Sequence, residues 1–234
     1  MDSLTPDSKC IFYHVPKTGG STIYEVTRDW KNFKRAVSNK NHVQVSWNPP
    51  RMGHVGVAVV RDPYDRFISA FYHLVDCCNE EFYYKKAQVS DCVTLKKLGV
   101  KDFGEYFNND PNVFLTLLEQ GDKVAKKTFN KFDIFRPQYY WLKSQFGGIH
   151  SGIKVIINQK QLQQQFEDLA DKINEQCDWN KSVNQRITNM GVSLNMESKK
   201  IIQKLYKNDF KYLFPELLDS RKYGITGQQT ETII

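Results

Sequence analysis

The sequence lacks any long apolar run. Its most extended one near a predicted strand, VGVAVV at residues 55–60, is far too short to span a bilayer. The first nine residues, MDSLTPDSK, are polar, so no secretory signal peptide is visible. We therefore expect a soluble protein in the cytoplasm, without a membrane span.

The cysteines form neither a CxxC pair nor a metal-ligand spacing. There are five of them: Cys10, Cys77, Cys78, Cys92 and Cys177. The count is odd, and adjacent cysteines rarely bond to each other. These observations favour reduced thiols and no metal site, with a disulfide from Cys92 to Cys77 or Cys78 as the alternative.

Internal repeats and low-complexity linkers are also missing, which favours a single domain over residues 1–234. Hydrophobic residues make up 40% of the chain and aromatic residues 13%, a globular composition. The formal charge of +7 favours anionic ligands. Nucleic acid, a nucleotide, an anionic glycan and a membrane surface all remain open on charge alone.

Strand and helix patterns alternate along the chain. CIFYHV (10–15), VGVAVV (55–60) and IKVIIN (153–158) are typical of buried strands. A first helix is predicted to start at Ser21, with Ile23, Val26, Trp30 and Phe33 as its apolar positions, and a second to start at Pro63. Two further helices are predicted over residues 159–175 and 196–206. Residues 34–54 are predicted as a loop and 79–130 as helical fragments. The pattern indicates a three-layer, P-loop-like α/β fold: a central parallel sheet flanked by helices.

HVPKTGGST, residues 14–22, joins the first strand to the first helix. Gly19 and Gly20 leave backbone N–H groups accessible, the helix start attracts anions, and Lys17 adds a positive charge. An ordinary strand-to-helix turn is the alternative. In a Walker loop the lysine follows the glycines, so the order here argues against a kinase or NTPase.

VVRDPYDRFISAFYH, residues 59–73, places Arg61 at a strand end and Ser69 two turns into the next helix. The Arg61 guanidinium suits phosphate oxygens, and Ser69 adds a hydroxyl donor. The alternative is a helix cap with a surface salt bridge from Arg66 to Asp62 or Asp65. We expect a structural role for Arg66.

PKTGGST and RDPYDRFISAF together resemble motifs of the sulfotransferase superfamily, closest to the carbohydrate (heparan sulfate-type) O-sulfotransferases and their bacterial relatives. The resemblance implies 3′-phosphoadenosine 5′-phosphosulfate (PAPS) as donor and 3′-phosphoadenosine 5′-phosphate (PAP) as product. It assigns the 3′-phosphate to Arg61 and Ser69. It assigns the 5′-phosphosulfate to Lys17, Thr18, Gly19, Gly20, Ser21 and Thr22.

Three weaker segments extend the resemblance. FRPQYYWL (135–142) is similar to a phenylalanine–glutamine segment, LYKNDFKYL (205–213) to the closing helix, and NQRITN (184–189) lies where relatives cover the nucleotide. The sequence departs at Asn158 and Gln159, where relatives often carry arginine and glutamate, and it lacks the usual Golgi anchor and stem.

Sulfuryl transfer needs positioning, charge neutralisation and a base, and it requires no metal. Lys17 is expected to neutralise the leaving phosphate. Of the five histidines we expect His42 to be the base, because it lies where relatives carry theirs, with His54 as the second choice. Thr18 or a water could assist.

The acceptor is expected to be a hydroxyl, and a carbohydrate is favoured. A basic cluster beside His42, formed by Lys31, Lys34, Arg35 and Lys40, could guide an anionic glycan. A small alcohol, a lipid-linked sugar and a protein tyrosine stay open. Two other functions are kept: a nucleotide kinase with Asp62 on magnesium, and a non-catalytic polyanion-binding protein.

Overall fold

A computed structural model describes residues 4–36, 42–77, 86–181 and 192–218 of the chain. Its backbone contacts divide the chain into two compact units. The first comprises residues 1–62, 137–185 and 207–234, and the second comprises 63–136 and 186–206. The single domain expected over residues 1–234 stays a prediction.

Strands and helices follow one another in the order that the sequence predicts for an α/β fold. In chain order they are β1 Lys9–Tyr13, α1 Gly20–Val26, β2 Phe33–Arg35, β3 His54–Val60, α2 Pro63–Cys77, α3 Lys86–Lys97, α4 Phe103–Tyr106, α5 Pro111–Gln120, α6 Lys123–Lys131, α7 Gln138–Leu142, β4 Ile153–Asn158, α8 Leu162–Lys172, α9 Met196–Leu205 and α10 Lys207–Tyr212. Short 3₁₀ turns cover Asp133–Phe135, Gln159–Gln161, Trp179–Lys181 and Pro215–Leu217.

The first unit contains a four-stranded, all-parallel sheet with the strand order β2-β1-β3-β4. Tyr13 pairs with Ala58, and Val60 pairs with Asn158. The three strands predicted from apolar runs are therefore confirmed, apart from shifts of one or two residues at their ends. Because all strands run the same way, the segments that follow β1, β2 and β3 start from one edge of the sheet.

Strand β2 was not predicted, and the helix assigned to its residues is too long. Helix α1 ends at Val26, so Trp30 lies in a connection and Phe33 begins β2. Both aromatic side chains are nevertheless buried, and their rings meet edge to face at 5.3 Å. Burial rather than helical periodicity explains their spacing.

Both faces of the sheet are covered within the first unit, as predicted for a three-layer α/β fold. One face packs against α1 and α8 through Phe12, Ile23, Val57 and Phe166. The opposite face packs Tyr13, Ala58 and Val60 against Trp141 and Leu142 of α7 and Phe214. Side chains alternate between these two layers along β1 and β3, as the two-residue period of a strand requires.

The second unit is helical and has an aromatic core. Helix α2 begins at Pro63, as predicted, and buries Phe67 and Phe71. Phe114 of α5 lies 6.1 Å from both of these rings, measured between centroids, and 5.4 Å from Phe135. The helical fragments expected in the middle of the chain are confirmed.

Arg66 has a structural role, but it lies in the interior and not at the surface. The side chain is fully buried in the second unit. Its guanidinium donates hydrogen bonds to the carbonyls of Ile134 (2.9 Å) and Arg136 (2.6 Å) and lies 5.1 Å from the ring centroid of Tyr206. Carbonyl oxygens and an aromatic face thus surround this buried charge.

The cysteines of the described residues are thiols: Cys10, Cys77, Cys92 and Cys177. A disulfide between Cys77 and Cys92 is therefore not formed, and Cys78 lies outside the described residues. Burial raises the pKa of the Cys10 thiol to about 11. Within the described ranges no helix is both long and apolar enough to cross a membrane.

Candidate active site

The loop from β1 to α1 turns twice through left-handed backbone conformations. Gly19 has a φ of 93°, which suits glycine, whereas Lys17 has a φ of 69°, which is uncommon for a residue with a side chain. A strained residue of this kind costs on the order of 1–3 kcal/mol and tends to occur at functional sites. The conformation of Lys17 therefore supports a role for this loop beyond chain reversal.

Thr18 is fully buried within the loop. Its hydroxyl donates a hydrogen bond of 2.9 Å to the carbonyl of Val15, so it holds the loop together. A contact of Thr18 with a ligand would therefore use its backbone N–H. Ser21 is exposed at the start of α1, where the first N–H groups of a helix have no acceptor within the helix.

Gly20 is required for a different reason from the one expected. Its backbone is helical, and a Cβ atom built on it would overlap the imidazole of His14. The residue thus leaves room for a side chain that follows β1. This close approach puts the Nε2 end of the His14 ring against the first residue of α1.

His14 lies among cationic groups. Its Nδ1 is 2.7 Å from a guanidinium nitrogen of Arg35, and its ring centroid lies 4.7 Å from that of His42. Burial lowers the pKa of His14 well below its usual value, and the charges of His42, Arg35 and Lys17 lower it further. Three cationic or protonatable side chains gathered around one imidazole form a surrounding that suits an anion.

His42 follows β2 after residues outside the described ranges. Its ring also lies 5.7 Å from Trp141 of α7, between centroids. The ring of His42 thus contacts the ring of His14, which in turn packs against Gly20 at the end of the loop that carries Lys17. His54 begins β3 at the opposite edge of the sheet, about 20 Å along the strand from Val60, and is not brought to this site.

Arg61 follows β3, and its backbone is held on both sides by one side chain. The amide of the buried Gln138 accepts a hydrogen bond from the Arg61 N–H (2.8 Å) and donates one to the Arg61 carbonyl (2.7 Å). Gln138 belongs to FRPQYYWL, one of the segments with the weaker resemblance. Its two hydrogen bonds fix the backbone of Arg61 directly after the end of β3.

Gln138 is itself positioned by Asp209, which belongs to the closing segment LYKNDFKYL. The buried Asp209 carboxylate accepts hydrogen bonds from the N–H groups of Gln138 (2.8 Å) and Tyr139 (2.7 Å). It therefore caps the start of α7. Two segments that the sequence marks only weakly thus meet, and together they set the backbone of Arg61.

Asn158 ends β4 at the place where the sequence departs from the resemblance. Its side chain accepts a hydrogen bond from the Lys160 N–H and so caps the following 3₁₀ turn. The Lys160 ammonium lies 3.6 Å from the Asp62 carboxylate. Among the described residues no group of three or more His, Cys, Asp or Glu side chains could hold a metal ion.

The remaining predicted site residues are placed as follows. Ser69 is half-buried on α2 in the second unit. Lys31 and Lys34 line a small cavity with Lys9 and His54, at the amino edge of β1 and β3. Among the described members of the basic cluster expected beside His42, only Arg35 lies next to His14. Lys40, the fourth member, and the segment NQRITN lie outside the described residues.

Sequence reasoning underestimated His14 and Arg35. The sequence pattern does not single out His14, and it marks Arg35 only as one member of a basic cluster. Their pairing depends on β2 lying beside β1, and FKR (33–35) is too short to be recognised as a strand from its pattern. The available signal was a histidine three residues before the lysine of the loop.

One of the comparisons with known proteins identifies a family for the chain. A model of the sulfotransferase family matches residues 3–215, which is most of the chain and includes the loop, Arg61 and the Gln138–Asp209 contact. Neither the curated proteins nor the solved structures yielded a match. On the extent of the family match, the chain belongs to the sulfotransferase family.

Proposed function

We propose that this protein transfers a sulfuryl group from PAPS to a hydroxyl group of a carbohydrate. The observation that carries the proposal is the cationic surrounding of His14, formed by Lys17, Arg35 and His42, at the carboxyl end of β1. Membership of the sulfotransferase family supports the reaction class. The resemblance of PKTGGST and RDPYDRFISAF supports the choice of donor and of a carbohydrate acceptor.

The residues present fit an anionic nucleotide. Lys17 supplies a permanent charge, and the glycine-containing loop supplies backbone N–H groups from residues 18–22 to the 5′-phosphosulfate. Arg61 and Ser69 bind the 3′-phosphate. The Gln138 contacts support this role for Arg61, because they fix the backbone from which its guanidinium extends.

In the proposed mechanism His42 accepts the proton of the acceptor hydroxyl. The oxygen then forms a bond to sulfur while the bond from sulfur to the bridging phosphate oxygen breaks, and PAP leaves. Lys17 neutralises the negative charge that grows on that bridging oxygen. Histidine is the side chain that most often serves as a general base, and a positioned base contributes about 10²–10⁴ in rate.

Ligand binding tests the donor. The melting temperature should rise with PAP and much less with ATP or adenosine 5′-phosphate, because a ligand that binds only the folded state stabilises it. Lys17→Ala and Arg61→Ala should reduce the rise. Lys34→Ala and Arg51→Ala are the matched controls, since both side chains are exposed and neither follows β1 or β3. Equal shifts with ATP would contradict the proposal.

Turnover tests the base. With PAPS and a panel of glycans, His42→Ala should lose activity by about 10²–10⁴-fold and keep the PAP-induced shift. His54→Ala is the control, because His54 lies at the other edge of the sheet. Full activity of His42→Ala would move the base elsewhere. Activity on tyrosine peptides or small alcohols, and none on glycans, would overturn the carbohydrate acceptor.

A further inference from the structure

The hydrogen bond between His14 and Arg35 fixes the position of a proton. A guanidinium carries only donors and stays protonated in proteins. Because Arg35 approaches Nδ1 of His14 at 2.7 Å, Nδ1 is the acceptor. The neutral imidazole then carries its proton on Nε2.

The neutral form is also the form that the surroundings favour. Burial and the nearby charges of His42, Arg35 and Lys17 all lower the pKa of His14. A protonated ring would place an N–H against the guanidinium of Arg35. His14 is therefore a neutral imidazole with a defined tautomer at physiological pH.

Its Nε2 lies beside the proposed phosphate loop. A Cβ atom on Gly20 would overlap Nε2 and the two ring carbons beside it, so this part of the ring packs against the first residue of α1. Among the described residues no hydrogen bond engages Nε2, whereas Nδ1 is bonded. A donor thus lies beside the backbone N–H groups that the proposed function assigns to the 5′-phosphate.

We propose that the Nε2–H of His14 donates a hydrogen bond to the 5′-phosphate of the bound nucleotide, and that Arg35 is the positioning residue that holds the donating tautomer. The inference rests on the proposed function and adds a ligand contact outside the loop residues 17–22. It gives His14 a role beyond filling the space above Gly20. Arg35 acts through His14 and does not itself touch the phosphate.

Two substitutions separate donation from space filling. His14→Gln keeps an N–H donor near the Nε2 position, whereas His14→Phe fills the space over Gly20 and donates nothing. The probes are PAP and adenosine 3′-phosphate, which differ only in the 5′-phosphate. Dissociation constants are measured by calorimetry for the full chain and both variants.

We expect His14→Phe to weaken PAP binding about tenfold to a hundredfold, the effect of losing one hydrogen bond to a charged group. Binding of adenosine 3′-phosphate should change less than threefold, and His14→Gln should recover most of the affinity for PAP. Equal weakening of both nucleotides by His14→Phe, or full PAP affinity in that variant, overturns the inference.

A second measurement addresses the tautomer directly. In ¹⁵N spectra of histidine-labelled protein, the His14 signals, identified by their loss in His14→Gln, should show a bare Nδ1 and a protonated Nε2. Arg35→Met should produce a mixture of tautomers and weaken PAP binding, and Arg35→Lys should restore both. A single Nδ1–H tautomer in the unmodified chain overturns the inference even if a variant fails to fold.

The same experiments distinguish this inference from the proposed function. If the unmodified chain does not bind PAP, the donor assignment and the His14 contact both fall. If it binds PAP, and His14→Phe binds as tightly, only the His14 contact falls.

Discussion

The imidazole of His14 occupies the space that a side chain at Gly20 would need. His14 follows β1 and Gly20 begins α1, so the two residues lie at either end of the loop that carries Lys17. The approach of ring and backbone closes this loop from one side. Glycine is required at position 20 by contact, and at position 19 by its left-handed backbone.

The contact predicts that the effect of Gly20→Ala depends on His14. In the unmodified chain the substitution should destabilise the fold by about 1–3 kcal/mol, the usual cost of overpacking. In a His14→Ala background the space is open, and alanine should stabilise the first turn of α1 by up to about 1 kcal/mol. Denaturant unfolding of the four proteins measures both effects. The same cost of Gly20→Ala in both backgrounds would contradict the contact.

The lowered pKa of His14 predicts a loss of stability on acidification. Below pH 6.5 the imidazole of His14 binds a proton in the unfolded chain but not in the folded state. The contribution of His14 to the free energy of unfolding is therefore complete above the unfolded pKa of 6.5 and declines as the pH falls below it. One such group contributes a slope of at most about 1.4 kcal/mol per pH unit. Unfolding free energies at several values between pH 7.5 and 5.5 should therefore decline more steeply for the unmodified chain than for His14→Gln. Parallel pH profiles of unfolding free energy for the two proteins would contradict the lowered pKa of His14.

The two hydrogen bonds from Gln138 to the backbone of Arg61 predict a graded series. Gln138→Leu should destabilise the fold by about 1–3 kcal/mol for each Arg61 backbone group left without a partner. Gln138→Glu can accept from the N–H but cannot donate to the carbonyl, so its loss should be intermediate. Gln163→Leu on the exposed face of α8 is the control and should change little. Chemical denaturation ranks the variants, and a neutral Gln138→Leu would show that the contacts contribute nothing.

The burial of Arg66 predicts that lysine cannot replace it. Lysine cannot present two fixed donors to the carbonyls of Ile134 and Arg136. Arg66→Lys should therefore cost about 1–3 kcal/mol, the penalty for leaving a buried polar group unsatisfied. Arg28→Lys is the matched control, because the Arg28 side chain is mostly exposed. Unfolding curves that overlay for the two variants would contradict this role.

The fold was largely predictable from the sequence, because buried parallel strands leave continuous apolar runs. β1, β3 and β4 were recognised in this way, and Pro63 marked the start of α2. β2 was missed, since three residues at the edge of a sheet carry no periodic signal. The predicted extension of α1 to Trp30 and Phe33 was wrong. The spacing of the four apolar positions from Ile23 to Phe33 fits a longer helix as well as a short helix followed by a connection.

The loop was predictable as a unit, whereas the contacts that shape it were not. Lys17 and the glycine pair are adjacent in the chain, so their pattern is visible. Arg35 reaches His14 only because β2 pairs with β1, and Gln138 reaches Arg61 across 77 positions of sequence. Long-range partners of this kind depend on topology, which no local pattern encodes.

The chain of contacts from Asp209 through Gln138 to Arg61 has a consequence for biosynthesis. The ribosome delivers Arg61 long before Asp209, so a nascent chain that has released only its first half contains the glycine loop without the carboxylate that anchors α7. Completion of the proposed nucleotide site must therefore wait until translation has passed the closing segment.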